Sequence, residues 1–287
     1  MILLCLLILY VVWGSTYYAM RVALLDIPPF LMGGMRFFTA GWLLFAIVRT
    51  RGAAWPTSRQ WLGSAVIGAL LLGCGNGFVG AAEHMGVSSG VAATVIATMP
   101  LWAVLFGALF GERPSWMELL GLVVGFSGVL VLRRGGALDA PLLGVLAIGL
   151  APAAWAFGSV WSKRMTLPVG PMAAATQMIT AGVLMAAIGA LRGESLRWPR
   201  PSALAAFVYL ITFGSLIGFT AYAYLLRTVR PALATSYAYV NPVVALALGA
   251  VLGGEPFGLT HAIACGWTLI GVALVMAARK PAAVKSS

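Results

Sequence analysis

The sequence predicts an all-α polytopic membrane protein with ten transmembrane helices, built as two inverted five-helix repeats. Three observations carry that prediction: an apolar composition, ten apolar segments parted by turn-forming residues, and an internal similarity at one fixed offset. Hydrophobic residues make up 61% of the 287 residues and charged residues 9%. A soluble domain carries about 25% charged residues, so this chain has apolar surface that water cannot cover. A bilayer covers it, and about 20 apolar residues in a helix cross a hydrocarbon core of roughly 30 Å.

The first apolar segment runs near 2–24. It lacks a basic stretch ahead of its apolar run and nine similar segments follow, so it reads as a retained helix rather than a cleaved leader. Asp26, Pro28 and Pro29 break the chain before the second segment, near 29–48. Arg51-Gly52 parts it from the third, near 60–81, and the fourth lies near 86–108. Glu112-Arg113-Pro114 precedes the fifth, near 115–132, and Gly135-Gly136 precedes the sixth, near 141–162. The seventh lies near 171–191; Gly193-Glu194 parts it from the eighth, near 202–226. The ninth lies near 231–252, and Gly254-Glu255-Pro256 leads to the tenth, near 258–278. These breaks carry turn chemistry, and none has room for a soluble domain. Lipid offers backbone groups no water, so each segment must be a helix; β-barrel alternation is absent.

The formal net charge is +11. On a soluble chain that balance points to nucleic acid. Here the basic residues sit in short gaps between apolar runs, as loop charges do, so no nucleic-acid partner is expected. With the N-terminus cytoplasmic, the inner side receives Arg49, Arg51, Arg59, Arg113, Lys163, Arg164, Arg227, Arg230, Arg279, Lys280 and Lys285. The outer side receives Arg133, Arg134, Arg192, Arg197 and Arg200. The excess places both termini in the cytoplasm. Cys5, Cys74 and Cys265 lie inside apolar runs and read as small core residues.

The internal similarity has an offset of 142 residues: Trp13 matches Trp155, Pro29 matches Pro171 and Pro100 matches Pro242. Gly128-Val129 matches Gly271-Val272 one residue further on, and the turn Gly111 to Pro114 recurs as Gly253 to Pro256. The chain therefore divides into a first repeat, 1–138, and a second, 139–287. Five helices is an odd number, so the second copy enters the membrane upside down. Inverted repeats of this kind typify secondary transporters, with the site near the midplane between them.

The segment GVAATVIATMPLWAVLFGALFGERPSWMELLGLVVGFSGVLVL, residues 90–132, resembles the drug/metabolite transporter superfamily, in particular its ten-helix EamA-type exporters. Trp13-Gly14-Ser15, MRFFTAGWLL in the second helix, Ala234 to Pro242, Gly254-Glu255-Pro256 and Gly271-Val272 are similar to that family as well. The resemblance covers nearly the whole chain and rests on the ordered set of motifs. It implies a ten-helix inverted-repeat fold in a prokaryotic inner membrane and export of small metabolites. Similar proteins export aromatic amino acids and also handle methyl viologen.

Catalysis is not expected. The chain has two histidines, His84 and His261, no HExxH and no phosphate-binding loop. That leaves no catalytic residues, no metal site and no cofactor, and it argues against a self-contained ATP-driven pump. What the membrane segments do contain is aromatic and mildly polar, which suits a cavity that stacks cargo and hydrogen-bonds its polar end. The candidate cavity residues are Trp13, Tyr17, Asn76, Phe78, His84, Thr98, Trp102, Trp155, Ser159, Tyr222, Ser236, Tyr237, Tyr239 and Asn241. Plain core packing is the competing role for each. Pro100 and Pro242 free carbonyls in the fourth and ninth helices, which makes those helices the leading site and gate elements, around Trp102 and Tyr237. Gly73, Gly77, Gly214 and Gly218 join the two prolines as hinge candidates. Arg36 lies about two turns into the second helix and reads as a structural residue or a substrate contact. Glu83-His84 is an acid–histidine pair at a helix end, either a solvated loop or part of proton coupling.

The expected function is secondary transport: export of small metabolites, aromatic or other hydrophobic amino acids, by alternating access. Export of cationic drugs such as methyl viologen is the alternative, and a channel or scaffold a third. The expected partners are a small-molecule substrate and the lipid bilayer, with the chain a monomer or weak homodimer.

Overall fold

The computed structural model describes residues 1–229 and 236–278. The described residues are all-helical, and nine helices are long and apolar enough to cross a membrane: α1 Ile2–Ala23, α2 Pro29–Thr50, α3 Ser58–His84, α4 Ser89–Leu109, α5 Trp116–Arg134, α6 Leu142–Ser162, α7 Pro171–Leu191, α8 Pro201–Tyr222 and α10 Leu259–Ala278. The remaining apolar helix, α9 Tyr237–Gly253, is shorter. Its expected first turn and the residues Ala234, Arg230, Arg279, Lys280 and Lys285 lie outside the described residues.

Local chemistry sets the helix starts. Proline occupies the first position of α2, α7 and α8, where its missing N–H costs nothing. Thr57 with Gln60 and Ser115 with Glu118 form reciprocal caps on α3 and α5. α9 stops at Gly254, which adopts a left-handed φ of 60° that a side chain would strain. α4 is interrupted between Ile96 and Met99, just before Pro100. Three helices widen into π-helical stretches: Ile8–Trp13 in α1, Ala69–Asn76 in α3 and Leu210–Ile217 in α8.

The tightest pairings are α2 with α7 and α5 with α10. Small residues make them possible, as backbones in lipid approach most closely over glycine. A Cβ on Gly34 would meet Ala186 Cα at 2.9 Å, and one on Gly121 would meet the Gly271 carbonyl at 2.7 Å.

Odd-numbered helices leave the side where the N-terminus begins and finish on the opposite one, called here the far side. Carboxylates tie that side together. Glu194, after α7, accepts from the Leu31 amide at 2.8 Å at the start of α2. Glu255, after α9, accepts from the amides of Ser89 at 2.9 Å and Gly90 at 3.2 Å at the start of α4, and it pairs with Arg21 near the end of α1. Each carboxylate thus satisfies orphan helix-end donors and complements the dipole. Asp26, between α1 and α2, receives both the Arg200 guanidinium and its backbone amide, at 2.9 to 3.0 Å. Those hydrogen bonds hold the Asp26 carboxyl below the usual carboxylate range.

One arrangement occurs three times. The Glu112 amide returns to the Gly107 carbonyl at 3.0 Å, the Glu194 amide to the Gly189 carbonyl at 2.9 Å and the Glu255 amide to the Gly249 carbonyl at 2.9 Å. In each place the carboxylate folds over the glycine, where a Cβ would crowd it.

Candidate functional site

A cavity of about 750 Å³, counting its open mouth, lies between α1, α2, α3, α4, α6, α8 and α9. Its wall is largely aromatic. Trp13 of α1 stands edge-on to Tyr237 of α9, with centroids 4.8 Å apart, and near Phe219 of α8 at 5.5 Å. Trp13 Nε1 donates to the Gly214 carbonyl at 3.1 Å, which fixes the indole across the α1–α8 boundary. Trp155 of α6 also lines the cavity, lying against Gly75 of α3.

Both tryptophans depend on a glycine. A Cβ on Gly75 would lie 2.8 Å from the Trp155 ring, and one on Gly218 would collide with Trp13 Nε1. The two seats are related by the offset that relates Trp13 to Trp155, one residue further on for the glycines. The three π-helical stretches converge here, since Trp13, Gly75, Asn76 and Gly214 belong to them and all line the cavity. Such stretches recur at functional sites because they re-aim side chains out of the regular helical pattern.

The polar share of the wall is small and specific. Arg36 is only 4% exposed and reaches the cavity from α2. Its Nε donates to Ser215 Oγ at 2.9 Å, its guanidinium lies 4.8 Å from the Phe37 ring centre, and it passes over Gly214. Tyr17, Thr16, Asn76 and Asn241 supply neutral groups. Asn241, oriented to hydrogen-bond, donates to the carbonyls of Tyr237 and Leu9 at 3.2 Å each. Among the described residues the cavity wall contains no carboxylate, and no group of three His, Cys, Asp or Glu is placed to hold a metal.

The expected site residues therefore divide. Trp13, Tyr17, Asn76, Trp155, Tyr237 and Asn241 line the cavity, as do Gly214 and Pro242. Tyr222 backs the wall, its ring against Trp13 and Tyr237. Trp102 does not line it: its indole packs edge-on to Phe126 of α5 and stacks with Phe106, a better burial for an apolar ring than a wet wall. Tyr239 points to α10, donating to the Val272 carbonyl at 3.2 Å, because residues two apart on a helix cannot share a face with Tyr237. Phe78 joins the core beside Met20 and Val79 for the same reason relative to Asn76. Thr98 and Ser159 turn their hydroxyls back onto the carbonyls of Val95 and Trp155. Ser236 meets the Tyr10 hydroxyl at 2.6 Å. His84 is exposed at the helix end.

Of the hinge candidates, Gly73 sits in a π-helical stretch, Gly77 follows that stretch and Gly218 follows another, while Pro100 opens the second part of α4. Sequence reasoning did not assign to the wall the apolar residues Met20, Val79, Ala93, Ile96, Ala97, Met99, Phe219 and Ala238, nor Thr16 and Gly75. For the α4 residues the available signal was the helical spacing of Ala93, Ile96, Ala97 and Pro100. For Gly75 it was the glycine one residue short of the Gly218 match.

Comparison with known proteins agrees with this architecture. The family model described as "EamA-like transporter family" matches residues 1–134 and again 142–277. The "Uncharacterized inner membrane transporter YedA" of Escherichia coli K12 is 46% identical over 268 residues, covering 93% of this chain and 88% of that protein. A "Probable amino-acid metabolite efflux pump" of Salmonella typhimurium LT2 is 25% identical, covering 94% of this chain and 91% of the other. A solved crystal structure superposes with a TM-score of 0.68 at 26% identity, covering 96% of both chains.

Proposed function

The chain belongs to the EamA-like transporter family, and from that premise we propose that it exports small amino acids or related carboxylates with an aromatic or apolar side chain, by alternating access, across a bacterial inner membrane. The observation that carries the substrate class is Arg36. It is the cationic group of a cavity otherwise lined by Trp13, Trp155, Tyr17, Tyr237 and Phe219. A guanidinium suits a planar carboxylate, and the rings suit the apolar end of the same molecule. The relative named as an amino-acid metabolite efflux pump points the same way. A cargo of fixed positive charge meets Arg36 and, among the described residues, no wall carboxylate, which disfavours methyl viologen and its like.

The paired seats Trp13–Gly218 and Trp155–Gly75 support a reading of two related halves. Repeats of five helices would stand inverted, with the cavity between them and both termini in the cytoplasm. The cavity lies within one chain, so a monomer suffices. The carboxylate ties close the far side, and alternating access requires that they part.

The test is counterflow in liposomes holding the purified chain. Labelled L-phenylalanine should exchange saturably, and unlabelled L-tryptophan should compete. Phenethylamine, which lacks the carboxylate, should compete at least about tenfold more weakly, as a charge-assisted hydrogen bond contributes about 1.5–3 kcal/mol. Equal competition by the amine would overturn the substrate class.

A further inference from the structure

We infer that Glu83 is a proton-binding site between the cavity and the far-side surface, and that its proton is exchanged against the Arg21–Glu255 ion pair during transport. This rests on the transporter reading above and adds its energy source.

Glu83 is 7% exposed, and among the described residues neither of its carboxyl oxygens finds a hydrogen-bond partner. A buried carboxylate in that state is too costly to remain charged; it holds a proton or acquires a cation. Its position relates it to the cavity. Asn76 and Val79 line the wall from α3, and Glu83 follows them at the spacing that keeps one helix face. On α1 the same step leads from Tyr17, which lines the cavity, to Arg21, which lines a separate recess on the far surface together with Ser88, Asp139 and His261. Glu83 thus stands between the substrate space and the far-side surface.

The charged neighbours are few. The titratable groups around it are Arg21 and the neutral Tyr17 of α1 and Glu255 of the α9–α10 turn. His84, next to it in the chain, is exposed. α4 and α6 contain no titratable side chain at all. On α2, Arg36 is held by Ser215 and Arg49 lies at the opposite end. Among the described residues Arg21 is therefore the one cation within reach, and it is already committed to Glu255.

The consequence is an exchange. With a proton on Glu83, Arg21 stays with Glu255, which keeps α1 joined to the start of α4. When the O–H bond of Glu83 breaks and its proton passes to water, two carboxylates compete for one guanidinium and the tie weakens. No electron moves and no other group is consumed. Proton occupancy thereby acts on the same contact that closes the far side.

Infrared titration of the reconstituted full chain tests the site without any substrate. Wild type should show a protonated-carboxyl band at neutral pH that titrates in alkaline buffer. The band should vanish in Glu83→Gln, persist in Asp139→Asn, and titrate at a different pH in Arg21→Gln. Its absence from wild type, or its persistence in Glu83→Gln, would overturn the site. Displacement of the band by sodium at constant pH would assign the site to a metal cation and overturn the proton reading. Labelled L-phenylalanine then tests the coupling: an imposed pH gradient should drive accumulation in wild type, and Glu83→Gln should lose that drive. Retained drive in the variant overturns the coupling. If wild type carries no phenylalanine, the substrate reading fails, and the infrared result still decides the site.

Discussion

Trp13 of α1 rests against Gly218 of α8, in space that any side chain at 218 would occupy. The indole that donates to the Gly214 carbonyl and faces Tyr237 is held in place by a missing methyl group. Gly218→Leu should therefore displace Trp13 into the cavity, since overpacking costs about 1–3 kcal/mol. Exchange of phenylalanine should fall at least about tenfold while the protein still inserts and elutes as a single species. Gly77→Ala should be far milder, because the atom it meets, Met185 Cε at 3.2 Å, is the end of a flexible side chain. Normal exchange by Gly218→Leu would show that Trp13 has no fixed place in transport.

Arg36 should discriminate substrates by their carboxylate. Arg36→Gln is expected to weaken phenylalanine affinity about 10- to 100-fold, from the 1.5–3 kcal/mol of a charge-assisted hydrogen bond. Phenethylamine affinity should change little. Arg36→Lys should recover only part of the loss, as an ammonium lacks the fork. Ser215→Ala removes the Nε partner and should give an intermediate effect. Competition curves in counterflow measure all four.

Glu255 has a structural task as well as an electrostatic one. Glu255→Ala leaves the amides of Ser89 and Gly90 without their acceptor, at about 1–3 kcal/mol for buried donors. Thermal unfolding in detergent should show a clear loss. Glu255→Gln keeps an acceptor and should unfold between the two. An unchanged melting temperature in Glu255→Ala would remove this tie from the fold.

The Asp26–Arg200 pair predicts a pH dependence with a definite sign. Arg200 lowers the Asp26 carboxyl in the folded state. Its stabilisation is therefore present above the unfolded value, about 3.9, and is lost as pH falls through the lower folded value. Asp26→Asn should melt slightly below wild type at neutral pH and converge with it in strong acid. The gap will be small, because exposed pairs contribute little.

The span count was legible because lipid admits only helices or closed barrels, and the apolar runs are long. Tyr237, Trp13 and Trp155 were legible as large polar-tipped rings in mid-span. Trp102 and Tyr239 were misplaced because one sequence shows residue type but not which face of a helix points inward. The packing of Trp102 against Phe126 is decided by α5, which no local pattern reveals. Arg36 was noticed as a buried charge, yet its role needed Gly214 and Ser215 from 178 positions or more away along the chain. Glu83 was seen beside His84; its want of any partner is a property of packing alone.

The π-helical stretch in α3 carries a further consequence. A π turn holds more residues than an α turn, so residues 69–76 store slack within the helix. Each residue of slack sets the phase of everything after it by about 100°. Deleting one residue there would leave every loop in place, yet it would swing Asn76 and Val79 off the cavity and turn Glu83 with them. The wall of this transporter is thus adjustable by winding as well as by tilting, and the glycines at 73, 75 and 77 lie where that winding is easiest.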